Sequence, residues 1–258
     1  MKFLLVVSFL FVSCEVSCAT VEWTCGKTGA RATCRSQTPL TVDDTLVIKS
    51  IHEADEKNPQ MFGDDEIYEV HIKGLITSFI PHQIFEKYPV VDTLYSFDSG
   101  ITTIEPQHFK GATNLENLHI TGSKIQILLA NTFTEAKKLT SISIVKSDLK
   151  IVQDLAFNGL PDINEIFLND NSIETITKDT FGGVKSAKLL NLSNNKINLI
   201  GSEFLDQFQS SRVIMEKNVC IDLVIDGLPS LDEPKQQLKA HCGDSKTANG
   251  ALTKFTFM

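Results

Sequence analysis

The sequence predicts an α/β solenoid, a horseshoe with a parallel β-sheet on its concave face and irregular or short helical turns on its convex side. Three observations carry this. Apolar residues return every 24 residues through six consecutive blocks, starting at Ile67, Val91, Leu115, Leu139, Ile163 and Ala187. Within each block, positions 3 to 7 alternate between polar and apolar, the period of a strand. Phe recurs at position 19 of successive blocks (Phe85, Phe109, Phe133, Phe157, Phe181), which accounts for 16 Phe against 1 Trp and 3 Tyr.

The chain of 258 residues is 42% hydrophobic and 22% charged, which excludes wholesale disorder. Its start reads as a secretory signal peptide over 1–19: Lys2, an apolar run from Phe3 to Val12, then small Ser17 and Ala19 before a cleavage point. Cleavage after Cys18 fits nearly as well as after Ala19. The apolar run is too short to span a bilayer, which takes ~20 residues. Loss of Lys2 and Glu15 leaves 23 basic against 31 acidic residues, a net charge of −8. Such a chain repels phosphate backbones and anionic headgroups, so neither nucleic acid nor membrane insertion is expected. The end of the chain is too polar for a lipid-anchor signal.

Four cysteines remain beyond that leader: Cys25 and Cys34 near the start, Cys220 and Cys242 near the end. An even count in a secreted chain reads as disulfides. Three pairings are possible, and the clustering favours the two local ones; a zinc site would need shorter spacings. Residues 20–42, with Trp23, are expected to form a disulfide-bonded N-terminal cap. Residues 43–66 read as a degenerate first coil, because Leu46 and Ile48 fall at positions 4 and 6 of a block begun at Asp43. Its Glu53 to Glu66 stretch, with Pro59 and Gly63, reads as a solvated acidic loop; the spacing of a calcium loop is missing. The repeats run over 43–218, with 210–218 again degenerate. Val213, Met215 and Asn218 there match a block begun one residue early, at Ser210, so the Ala187 block is one residue short. Residues 219–242 are expected to cap the C-terminal end, and 243–258 to form a flexible tail.

The cleanest block carries Ile163, Ile166, Leu168, Asn171, Ile173, Ile176 and Phe181 at positions 1, 4, 6, 9, 11, 14 and 19. With the stretch from Leu189 to Ile197, this resembles the extracellular leucine-rich-repeat family, over Ile67 to Asn218. The resemblance implies that position 9 bonds backbone groups of the adjacent coil. Here that column reads Leu75, Ser99, Ser123, Ser147, Asn171, Asn195 and Asn218. Ser can supply similar bonds with shorter reach; Leu75 cannot, so its loop should follow a different path.

Side chains at positions 3, 5 and 7 are spared by the core and face the concave surface. Candidate binding residues there are His71, Tyr95, Phe97, His119, Phe167 and Asn169. Exposed aromatics on a rigid sheet are suited to anchoring a partner. Phe97 has two readings: it faces solvent, or the strand bulges and Phe97 replaces Ser96, which sits where an apolar residue belongs. His71 and His119 share a position two coils apart, ~10 Å, too far to hold one metal ion. Asn191-Leu192-Ser193 is an N-glycosylation sequon, and a glycan there would cover the C-terminal part of the face. No nucleophile elbow, zincin, phosphate-loop or dinucleotide motif occurs, so neither enzymatic activity nor a cofactor is expected.

The expected function is a secreted, extracellular protein-binding protein whose partner is another protein, with a glycoconjugate as the variant. Size, leader and paired end cysteines look like the short secreted leucine-rich-repeat proteins of arthropods, several of which serve innate immunity. The stretch Asn218-Val219-Cys220-Ile221-Asp222 is similar to their end caps. The chain departs from the better-known members in lacking a C-terminal heptad pattern. The alternative class is a matrix or adhesion component, since one fold hosts many roles.

Overall fold

The computed structural model describes residues 20–28, 31–36, 47–52, 63–73, 78–185, 187–227 and 230–243. The expected leader, the tail beyond Gly243, the loop of Leu75 and residues 53–62 of the acidic loop lie outside them.

Strands β1 (Thr20–Thr28), β2 (Arg31–Ser36) and β3 (Val47–His52) precede the repeats. The coils then supply β4 (Ile67–Lys73), β5 (Thr93–Phe97), β6 (Asn117–Thr121), the two-residue β7 (Ile127–Leu128), and β8 (Ser141–Val145). They continue with β9 (Ile151–Val152), β10 (Glu165–Phe167), β11 (Thr175–Ile176), β12 (Leu189–Asn191), β13 (Leu199–Ile200) and β14 (Arg212–Ile214). A closing strand β15 (Val224–Asp226) follows. One sheet of 11 strands runs β15-β14-β12-β10-β8-β6-β5-β4-β2-β1-β3. From β4 to β14 every pairing is parallel, with each residue opposite its equivalent one coil on. The spacing is 24 residues until the last step, where Leu189 faces Arg212 after 23, the shortened block expected at that point.

The 24-residue coil works because no single turn of chain can bury its apolar side alone. Position 4 (Val70, Leu94, Leu118, Ile142, Ile166, Leu190, Val213) and position 6 point inward from the strands, and all are buried. On the far wall the five expected Phe are buried too, with consecutive ring centroids 6.4, 5.4, 5.8 and 5.4 Å apart. Phe204 extends the column at 6.3 Å from Phe181, and Phe208 meets Phe181 edge-on at 5.4 Å. That wall is built from α1 (Gln83–Lys87), from 3-10 turns at Pro106–Phe109 and Ser202–Phe208, and from irregular turns between. A second, flanking set of short parallel pairs, β7–β9 and β11–β13, was not expected. Two-residue strands leave no legible alternation.

From the Val91 coil onward the chain turns tightly at position 8, where Asp98, Lys146, Asp170, Asn194 and Lys217 adopt positive φ. Gly122 fills the same place at φ +72°, where an added Cβ would lie 2.5 Å from the Asp98 carboxylate. Position 9 then repairs the turn. Asn195 Oδ1 accepts from Ile173 N–H at 3.0 Å, and its Nδ2 donates to Leu168 and Leu192 carbonyls at 2.9 and 3.0 Å. Asn171 and Asn218 repeat the pattern. Where Ser stands instead the bonds are fewer: Ser147 Oγ donates to Val145 carbonyl at 2.9 Å, and Ser99 and Ser123 hydroxyls bond each other at 3.0 Å. Buried turn amides thus find partners along the stack.

The ends are closed differently. At the C-terminal end β15 turns back antiparallel on β14, α2 (Asp232–Cys242) lies against the 3-10 turn over Ser202–Phe208, and Cys220 is bonded to Cys242. At the N-terminal end β1 and β2 form an antiparallel hairpin with Cys25 bonded to Cys34 across it. Buried Trp23 stacks on Tyr88 at 6.0 Å. Most of the expected degenerate coil over 43–66 lies outside the described residues. The neighbour of β4 is β2, and β3 lies two strands further out, parallel to β1.

Candidate functional site on the concave face

Because strand side chains alternate, the residues flanking each buried pair stand on the concave surface. Register brings position 5 into one row across the sheet: His71 opposite Tyr95, Tyr95 opposite His119, His119 opposite Ser143, Ser143 opposite Phe167, Phe167 opposite Asn191. The first three are in ring contact. Tyr95 lies 4.8 Å from His71 and stacks on His119 at 4.7 Å with 11° between planes. Phe97, one position-pair along β5, stacks on Tyr95 at 5.7 Å and sits 6.3 Å from His71. Four rings therefore make one contiguous ridge over β4, β5 and β6, partly exposed.

Phe97 faces the concave side. Strand β5 keeps unbroken register with both neighbours, so no bulge turns it inward. Ser96 stays in the core, fully buried, and its hydroxyl bonds that of Ser99 at 2.7 Å. The Ser-for-apolar exchange is tolerated because the shortened position-9 residue leaves a polar partner beside it.

Alongside the rings runs a polar row at position 3: Glu69, Thr93, Asn117, Ser141, Glu165. Glu69 bonds His71 Nε2. Asn117 Nδ2 donates to Thr93 Oγ1 at 3.3 Å, Thr93 Oγ1 to Asp92 at 2.7 Å, and Ser141 Oγ to Glu165 at 3.4 Å. Burial among these neighbours holds the His119 imidazole below its ordinary value, opposed in part by the charges of Glu165 and Glu69. His119 is thus neutral near pH 7. Glu69 and Glu165 are not among the binding residues expected from the sequence. The signal was present: from Glu69 to Asn191, positions 3 and 5 hold two Glu and no Lys or Arg.

Phe167 is part-exposed on the same row but beyond Ser143, outside the ring ridge. Asn169 lies just past the end of β10, and its Nδ2 donates to Asp170 at 2.6 Å. Asn191 is the last residue of β12, opposite Phe167 on one side and Ile214 on the other, and its Oδ1 accepts from Ser193 N–H at 3.0 Å. Among the described residues no cluster of His, Cys, Asp or Glu could hold a metal ion. A separate open depression of about 600 Å³ lies on the flanking strands, lined by Lys150, Ile151, Asp154 and Glu174 among others. Its mixed lining brings together no chemistry of its own.

A leucine-rich-repeat family model matches residues 137–197. No curated protein shows significant sequence similarity to the chain. Among solved structures, one of a TLR13–ssRNA13 complex is similar with a TM-score of 0.54 at 17% identity, over 72% of this chain and 27% of that one. A structure of the octameric complex of Latrophilin 3, Unc5D and FLRT2 (LRR) is similar with a TM-score of 0.50 at 17% identity, over 67% of this chain and 60% of that one. This chain therefore corresponds to part of each. The capped stack of parallel coils is a leucine-rich-repeat solenoid.

Proposed function

We propose that the chain is a secreted recognition protein that binds another protein on its concave face, between β4 and β10. The observation that carries this is the ridge of His71, Tyr95, Phe97 and His119: four rings in mutual contact that the core does not need. Rings fixed on a capped sheet lose little entropy when a partner covers them. The end disulfides fit an oxidising compartment, and the Lys2 leader fits export into it. Among the described residues no helix is long and apolar enough to cross a membrane. The net charge of −8 argues against RNA as the ligand, although one similar structure holds single-stranded RNA. The ring ridge supports a role in binding, which we take in preference to catalysis. Innate immunity is the setting that the resemblance to short arthropod proteins suggests. A glycan on Asn191 would confine the partner to the strands before β12.

Affinity capture from the source extracellular fluid tests this, with wild type and a Tyr95→Ala/Phe167→Ala variant in parallel. The reading expects a partner recovered by the first and lost by the second; equal recovery of every partner refutes it. One observation favours a matrix or adhesion role instead. Strand β3 is the last of the sheet, and among the described residues nothing pairs with its outer side. Concentration-dependent self-association in sedimentation velocity would support that reading.

A further inference from the structure

We infer that the segment docking on this face is a basic, extended stretch of polypeptide. It carries two Lys or Arg about six residues apart, with apolar or aromatic side chains between them. This rests on the concave-face reading above and specifies its partner.

The polar row beside the ridge ends in a carboxylate at each side. Among the described residues, Glu69 has His71 as its partner and Glu165 has the Ser141 hydroxyl; neither is paired with Lys or Arg. From β5 to β10 the described strand residues include no Lys or Arg; Arg35 of β2 lies opposite His71, and the guanidinium of Arg212 on β14 already lies 3.9 Å from Asp226. The side chains between the two Glu turn their donors sideways, Asn117 to Thr93 and Thr93 to Asp92, and so toward the acidic groups. The row thus offers a partner acceptors and negative charge. Lys and Arg are all donor, and Arg brings five N–H groups. An acidic segment would instead place like charges together as water is excluded.

Geometry sets the spacing. Glu69 and Glu165 are four strand intervals apart in register. At ~4.8 Å per interval that is ~19 Å, so one cation cannot serve both. An extended chain at ~3.3 Å per residue covers it in about six residues. Those residues would cross His71, Tyr95 and His119, which take apolar or aromatic side chains.

The test is selection of random 12-residue displayed peptides on the mature, oxidised chain, followed by binding of the enriched peptides to variants. The inference expects enriched sequences with two Lys or Arg about six apart around an apolar centre. Glu69→Gln/Glu165→Gln, both at part-exposed or exposed positions, should weaken them about 2- to 30-fold and flatten their salt dependence. Enrichment of neutral or acidic peptides, basic peptides indifferent to the double Gln variant, or no enrichment would each overturn it. Enriched peptides abolished by Tyr95→Ala leave the concave-face reading standing whatever their charge. Peptides that ignore Tyr95→Ala would remove that reading as well.

Discussion

Replacing Phe133 by Ala would show what holds the coils together. The ring is completely buried, with its centroid 5.4 Å from Phe109 and 5.8 Å from Phe157. Truncation removes the transfer energy of the ring and leaves a cavity between two rigid neighbours, at about 3–5 kcal/mol. Some ~0.5–1.5 kcal/mol for each lost ring pair lies within that figure. The loss is large against the roughly 5–15 kcal/mol total of a typical domain. Phe133→Leu refills most of the space and should cost about 1–2 kcal/mol. Equilibrium urea unfolding of the oxidised protein, followed by far-UV circular dichroism, measures both. Because each coil contacts only its neighbours, the Ala variant should also broaden the transition as the two halves uncouple. A cost below about 1 kcal/mol for Ala, or equal costs for Ala and Leu, would refute the stacked-column reasoning.

Three further outcomes follow from the coils. Asn195→Ala strands the Ile173 amide and two carbonyls that the side chain now satisfies, and should lower the urea-derived stability by about 2–4 kcal/mol; a loss under 1 kcal/mol would contradict the ladder. Leu155 is 43% exposed and held at φ +62°, where Asn131 one coil earlier sits at +59°, so Leu155→Asn should gain about 1 kcal/mol in the same assay. The His119 pKa is lowered in the fold from its ordinary 6.5, chiefly by burial, so the unfolded chain takes up the proton first. Stability is then complete above pH 6.5 and falls as the pH drops through the folded value, and His119→Gln should flatten that acid-side fall in urea midpoints.

The repeat was legible because one apolar column returning every 24 residues has a single economical explanation, and it fixed the strands, the Phe wall and the position-9 ladder. Phe97 stayed ambiguous because Ser96 reads as a fault in the apolar pattern until Ser99 and Ser123 are seen beside it. Order at the N-terminal end was not legible. Whether β2 or β3 lies on β4 depends on a hairpin pairing that leaves no periodic trace. The ridge was half legible: His71, Tyr95, Phe97 and His119 could be placed on one face, but their mutual stacking depends on rotamers. Glu69 and Glu165 were hidden because an acidic side chain on a solvent face is ordinary.

Hydroxyl-radical footprinting of the chain, alone and with its captured partner, tests the central claim most directly. Protection should fall on Tyr95, Phe97 and His119, and the flank residues Ile127, Ile151 and Leu155 should react as in the free chain. Protection confined to the flank, with the ring ridge still reactive, would contradict the account.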